Sequence, residues 1–398
     1  ASQFLDDYIN EQAEAPVSYA ESFKKFFASS ALEFCTCPLP ETFHAQAQSQ
    51  LMNLRSFVHD ILPHNLQAFD RRKTLLEASF ICEKLGLQGR VDMLQKDFKI
   101  LIEQKSGKRD EWQRKHKEDH FIQMMLYQGV LMYNFGRETE ELQTFLLYSK
   151  YPDGLMLEHF SETLFRESIR LRNFIVAEEM KLGEGNIGQV IEALDTDVLN
   201  EYQVHNRLWD DFQEPQLQEA IQTLKHVTPL ERAYFERFFT FVSKEQILSK
   251  TGGNTDPSHG FAGLWHLPLP EKLEAGNILL GLTIRNKQQS APNKGYDLIE
   301  LAIPQQDEDF LPNFRTGDIV ICYAYHGEPD VRKEILMKGN IVSIFPDRLT
   351  VLLRNGQQNK EIIGGADEVF AIEHDSSDVS ATNGISSRNC LGIFSSIK

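Results

Sequence analysis

Two acidic residues and a lysine carry the strongest chemical signal in the chain. Gly89-Arg90-Val91-Asp92 is followed, eleven residues beyond Asp92, by Glu103-Gln104-Lys105-Ser106-Gly107-Lys108. Residues two apart on a strand share a face, so Glu103 and Lys105 point one way and Gln104 the other. With Asp92 on a neighbouring strand, two carboxylates and one ammonium converge across a hairpin. Carboxylate and carbonyl oxygens suit a hard divalent cation such as Mg²⁺. Such a cation polarises a phosphoryl oxygen and acidifies a bound water, and Lys105 would orient that water or stabilise charge growing on the phosphate. The plainer reading of Glu-x-Lys is a cross-strand ion pair on a sheet surface. The apolar run Ile100-Leu101-Ile102 argues against it, because it predicts a buried strand whose charged end marks a site.

The elements that must hold these residues follow from the patterning. Arg90–Leu94 and Phe98–Glu103 read as short strands joined at Lys96-Asp97. A helix is expected from about Glu118 to Phe135, stopped by Gly136, and Thr144–Ser149 reads as a further strand. Residues 1 to about 88 carry mainly helical patterns, among them Ser18–Phe27 and Gln48–Phe69. Helices, strands, a helix and a strand in that order predict a mixed α/β layer domain over residues 1–160. Gln123 and Tyr127, four apart, share one helix face; alone, they read as helix-surface residues.

Residues 161–252 read as helical throughout, a stalk whose clearest element opens at Thr228-Pro229-Leu230-Glu231. There Thr228 and Glu231 can form a capping box, with Pro229 at the first helical position. Gly183-Glu184-Gly185-Asn186-Ile187-Gly188 matches the dinucleotide fingerprint but follows a helix instead of a strand, so that reading lacks its context. Beyond a polar linker at 253–259, short strands at close spacing predict a small β-barrel, the domain spanning 253–375. Its signals are Gly317-Asp318 before Ile319–Tyr323, a Pro346-Asp347 turn between two apolar runs, and a hairpin signal at Asn355-Gly356. Residues 376–398 form a polar tail. The fold class expected is therefore multi-domain: α/β, then all-α, then all-β.

The order Gly-x-x-Asp, an apolar strand ending Glu-x-Lys-Ser-Gly, and Gln-x-x-x-Tyr on a helix resembles the RecB-like branch of the PD-(D/E)XK nucleases. The resemblance implies that residues 1–160 form such a nuclease core. It implies that Asp92 and Glu103 bind Mg²⁺ or Mn²⁺, and that the backbone carbonyl of Gln104 supplies another ligand. Lys105 would be the catalytic lysine, with Gln123 and Tyr127 positioning it or the nucleic-acid strand. An upstream ligand is expected at His59, in Phe57-Val58-His59-Asp60-Ile61-Leu62, with Glu77 and His64 as substitutes; a His among apolar neighbours is otherwise a core residue. Some relatives hold an iron–sulfur cluster, but here no Cys lies between 82 and 322, so none is expected.

Residues 105–117 carry Lys105, Lys108, Arg109, Arg114, Lys115 and Lys117 against Asp110 and Glu111, with Trp112 as a base-stacking surface. That segment reads as a path for a single strand leaving the metal site, or else as a solvated loop and helix start. The rest of the chain limits the classes. It has 398 residues, 41 Lys plus Arg against 58 Asp plus Glu, and a net charge of −17. This balance excludes a protein that coats nucleic acid over its whole surface, but leaves room for local basic channels. No apolar run is long enough to span a membrane. The start lacks signal-peptide features and a Met, suggesting a trimmed chain, and five Cys suggest a reducing, cytoplasmic setting.

Stalk and barrel extend the resemblance, by order and texture, to replication-type nuclease–helicases that trim flaps on Okazaki fragments. Arg170-Leu171-Arg172-Asn173 and Phe314-Arg315-Thr316-Gly317-Asp318 carry it. No Gly-x₄-Gly-Lys-[Ser/Thr] occurs, so no nucleotide binding or ATPase activity is expected; the chain reads either as a fragment of such a protein, with a helicase motor C-terminal to residue 398, or as a natural protein lacking the motor. The expected function is a metal-dependent DNase acting on single-stranded ends or flaps in replication or repair. The competing expectations are a catalytically weak nuclease fold serving as a DNA-binding scaffold, and RNA processing.

Overall fold

The computed structural model of the chain describes all residues except 30, 37–38, 67, 254–259, 292–293, 306–311, 366 and 376–398. The expected tail and all but the first residue of the expected linker thus lie outside the described residues. The described chain forms two compact units, 1–169 with 267–375, and 170–266. The α/β region and the barrel, read from the sequence as separate domains, belong to the first unit together.

The first unit is built on a five-stranded mixed sheet of β1 (Thr74–Cys82), β2 (Leu87–Gln95), β3 (Ile100–Lys105), β4 (Gln143–Tyr148) and β5 (Leu155–Glu158), in that spatial order. All neighbours are antiparallel except β3 and β4. A parallel pair requires a crossover, and the expected helix Glu118–Phe135 supplies it, ending at Gly136 in the left-handed conformation. Its Met124, Val130 and Leu131 pack on Leu75, Leu94, Leu101 and Leu146. The opposite face carries Leu76, Met93, Ile102 and Leu147 against Phe4, Leu5 and Ile9 of helix Ser2–Ile9, and against Leu54 and Phe57. Both faces are covered, so β3 is buried almost throughout. Strand β1 falls where helical patterns were expected. Its nearly continuous buried run lacks the alternation that would have separated a strand from a helix.

The barrel closes in the order β10-β7-β6-β11-β8-β9, with β6 Ile278–Gln288, β7 Tyr296–Ala302, β8 Ile319–Tyr325, β9 Met337–Phe345, β10 Arg348–Gln357 and β11 Val369–His374. Leu279, Leu301, Val320, Ile341, Val351 and Phe370 fill its interior. The Pro346-Asp347 turn joins β9 to β10 as expected. Asn355-Gly356 makes no hairpin. It lies inside β10, where the register to β7 shifts between Leu352 and Gln357, a bulge. A Cβ on Gly356 would fall 2.1 Å from the Lys294 carbonyl oxygen, so the residue is set by close backbone approach.

The second unit is helical among its described residues. Helix Pro229–Thr251 opens on the expected capping box: the Thr228 hydroxyl accepts from the Glu231 amide, and the Glu231 carboxylate accepts from the Thr228 amide. Within this unit a Cβ on Gly183 would meet Ile247 at 2.6 Å, and one on Gly188 would meet Glu236 at 2.6 Å. Both neighbours are side-chain tips of helix Pro229–Thr251, so these glycines lie where helices meet.

Candidate active site

The site is assembled by register. Met93 lies opposite Ile102 and Leu94 opposite Leu101, which continues to place Asp92 opposite Glu103. On the other side, the pairs Leu76–Met93 and Ala78–Val91 bracket Glu77 and Asp92, a position the β1–β2 ladder skips, and the charge of Asp92 is felt at Glu77. Glu77, Asp92 and Glu103 therefore form a row across three adjacent strands. Asp92 is tied to the neighbouring backbone: its Oδ2 accepts the Gln104 N–H at 2.7 Å.

Lys105 closes one end of the row. Its Nζ lies 2.9 Å from Glu103 Oε1 and donates to Gln123 Oε1 at 2.6 Å. Gln123 Nε2 donates to Glu103 Oε1 at 3.0 Å and to the Tyr127 hydroxyl at 2.9 Å, and that hydroxyl donates to the Arg90 carbonyl at 2.8 Å. Gln123 and Tyr127 thus tether the helix to the strands that carry the acids. A Cβ on Gly89 would sit 2.7 Å from the Tyr127 ring, so the glycine opening Gly-x-x-Asp leaves room for that ring. Burial lifts the Tyr127 phenol to about 12, which keeps it a hydrogen-bond donor.

Burial dominates the electrostatics. It pushes Glu103 up to about 7, reinforced by the charge of Asp92 and opposed by Lys105. It pushes Glu77 up to about 7 as well, against the nearby Arg90 guanidinium, whose Nε lies 2.5 Å from Glu77 Oε2. Asp92 is raised by the same desolvation, countered by the Gln104 amide. Asp6, on helix Ser2–Ile9, is raised well above the usual carboxylate range by burial and by the charges of Glu77, Asp7 and Asp92. Glu77 holds φ at +55°, the left-handed region that a non-glycine residue enters at a cost.

These groups match a hard cation in donor chemistry. The oxygens are carboxylate oxygens, and Glu103 Oε2 is buried without a partner in a residue only 4% exposed. Among the described residues, however, no three His, Cys, Asp or Glu side chains already stand grouped as a metal cage. Lys105 and Arg90 meet the charge of Glu103 and Glu77 instead. A raised carboxyl pKa stabilises the fold below the unfolded value and loses that contribution as pH rises through the folded one. Folding stability of the metal-free protein should accordingly fall between about pH 4.5 and 7. The loss is about 1.4 kcal/mol for each tenfold by which the folded chain holds a proton more tightly than the unfolded one. Urea titrations of the parent, Glu103→Gln and Glu77→Gln across that range check it. Each variant should show a flatter slope, and identical slopes would refute the assignment.

The remaining expected residues fall into two groups. His59 lies on the turn Phe57–Ile61, its Nε2 2.7 Å from Glu11 Oε2 and its ring edge-on to Tyr8. It is engaged by Glu11, and Glu77, its substitute, stands beside Asp92; His64 is exposed. The Gln104 side chain reaches Ser149 Oγ on the opposite face, as strand alternation requires. In the basic segment, Arg109 is not available to a ligand. It is buried, its Nη2 shared between both Asp153 carboxylate oxygens and its Nη1 donating to the Asp153 carbonyl, and it stacks over Tyr151 at 4.5 Å. Lys108 pairs with Glu111 at 3.1 Å. Arg114, Lys115 and Lys117 are exposed, and Trp112 is 95% exposed on a turn held by the Asp110 carboxylate. Asp6 escaped the sequence reading, because one acid on an amphipathic helix carries no spacing signal.

Compared with protein-family models and with curated proteins, the chain matches none. Among the described residues no helix is long and apolar enough to cross a membrane.

Proposed function

We propose that the chain is a divalent-metal-dependent nuclease of the PD-(D/E)XK type, cutting phosphodiester bonds in single-stranded ends or flaps of DNA. One observation carries this reading: Asp92, bonded to the Gln104 amide, lies beside Glu103 on the neighbouring strand, while Lys105 is held between Glu103 and Gln123 at the same strand end. Bound Mg²⁺ or Mn²⁺ would supply a polarised phosphoryl oxygen and a more acidic water. Asp92 and Glu103 provide the negative charge that retains the ion, and the Gln104 backbone lies next to Glu103 on the same strand. Lys105 stabilises charge on the phosphate, and Gln123 and Tyr127 fix its position. Arg114, Lys115 and Lys117 attract the backbone of the strand, and the Trp112 ring offers a face to an unpaired base. A helicase motor joined C-terminally would deliver such strands.

A second reading is a DNA-binding scaffold without useful catalysis. It is favoured by the same lysine, whose ammonium already has two partners, and by the lack of a preassembled acidic cage among the described residues. End-labelled single-stranded DNA separates the two. It should shorten with Mg²⁺ or Mn²⁺ and stay intact with EDTA. Binding without shortening favours the scaffold, and a parallel RNA oligomer reports the sugar preference.

A further inference from the structure

The barrel grips the sheet beside the carboxylate row. Gln357 is 3% exposed, and its side-chain amide bonds β1 as a paired strand would. Gln357 Oε1 accepts the Leu76 N–H at 2.9 Å, and its Nε2 donates to the Leu76 carbonyl at 3.0 Å. Three residues further along β1, Ser79 and Leu336 exchange both backbone bonds, at 2.9 and 3.3 Å. Glu77 lies between these two clamps, at the one residue of β1 with positive φ. The bulge at Asn355-Gly356 is what breaks the β10 register just ahead of Gln357 and re-aims its side chain.

We infer that Gln357 is a positioning residue for the acidic row, holding Glu77 beside Asp92 through Leu76. This makes the barrel part of the catalytic apparatus, and it rests on the reading of that row as a cation site. Leu76 presents both backbone groups to one amide, so losing the amide leaves a buried donor and a buried acceptor unpaired. The segment that must carry a left-handed glutamate then loses one of its two anchors, and the local conformation that opposes Glu77 to Asp92 is no longer enforced.

The test uses the full chain with Gln357→Met, which conserves bulk and removes both bonds. Leu301→Ala, in the barrel core away from β1, serves as the stability control. Mn²⁺ affinity is measured by calorimetry below both unfolding transitions, and amide exchange is followed over residues 76–79. Gln357→Met should weaken Mn²⁺ by about tenfold through the displaced Glu77 carboxyl, the low end of the loss when a direct partner of a metal ligand is removed. Exchange at 76–79 should accelerate in that variant, and Leu301→Ala should leave both readouts near the parent's. Parent-like Mn²⁺ affinity or exchange in Gln357→Met overturns the inference, and so does an equal loss of affinity in Leu301→Ala. A parent protein that binds no Mn²⁺ fails differently: it overturns the cation-site reading itself, and the positioning role falls with it.

Discussion

Asp92→Asn should abolish strand cleavage while leaving the protein folded. The amide oxygen still accepts the Gln104 N–H that Asp92 Oδ2 accepts at 2.7 Å, so the local backbone keeps its partner. What disappears is a negative charge buried beside Glu103, Glu77 and Asp6. Its removal relieves repulsion, so thermal stability at neutral pH should equal or exceed the parent's. Cleavage should fall roughly a thousandfold or more, as when one member of a set acting as a unit is removed. Mn²⁺ affinity should fall with it, because the ion loses one of the carboxylates that retain it. Cleavage of labelled single-stranded DNA, set beside calorimetric Mn²⁺ titration and a melting curve, reads all three. Parent-like cutting after metal-free purification would remove Asp92 from the mechanism.

Lys105→Met should separate cleavage from cation binding. The Lys105 ammonium competes for Glu103 Oε1, 2.9 Å away, so removing it should leave Mn²⁺ affinity equal or tighter. Cleavage should drop by about two to three orders of magnitude, the usual loss when one preorganised charge-stabilising group is deleted. The same titration and assay decide the matter. If affinity and rate fall together, Lys105 serves to hold the fold of the site, and Gln123, which loses its 2.6 Å donor, is the group it was holding.

The site was more legible than the architecture around it. Asp92, Glu103 and Lys105 are placed by strand alternation and a short connection, both of which are local rules. Their register in β2 and β3 follows them. Gln123 and Tyr127 follow the same logic on a helix, and the Gly89–Tyr127 contact supplies a steric reason for the motif's first residue. Nonlocal features were hidden. Arg109 reads as a free cation until Asp153, 44 residues on, folds against it. Glu77 reads as a substitute ligand because β1 has no alternation, and only the β1–β2 pairs on either side of it bring it near Asp92. Asn355-Gly356 is a sound turn signal defeated by tertiary context, since Lys294 crosses too closely for any side chain. No local rule joins Gln357 to Leu76, 281 residues away.

The clamp on β1 also bears on how the chain tolerates being cut. A sheet edge with unpaired amides and carbonyls recruits other strands, and native proteins shield it. Here one margin of the five-stranded sheet is the nine-residue β1, covered by Gln357 and Leu336, while the other is β5, only four residues long. Trimming the chain to its first 160 residues would bare the longer margin with Leu75 and Leu76 on it, and the shortened product would be prone to aggregate through that strand. A fragment that carries the acidic row should therefore need the barrel to stay soluble, which expression of residues 1–160 beside residues 1–375 checks.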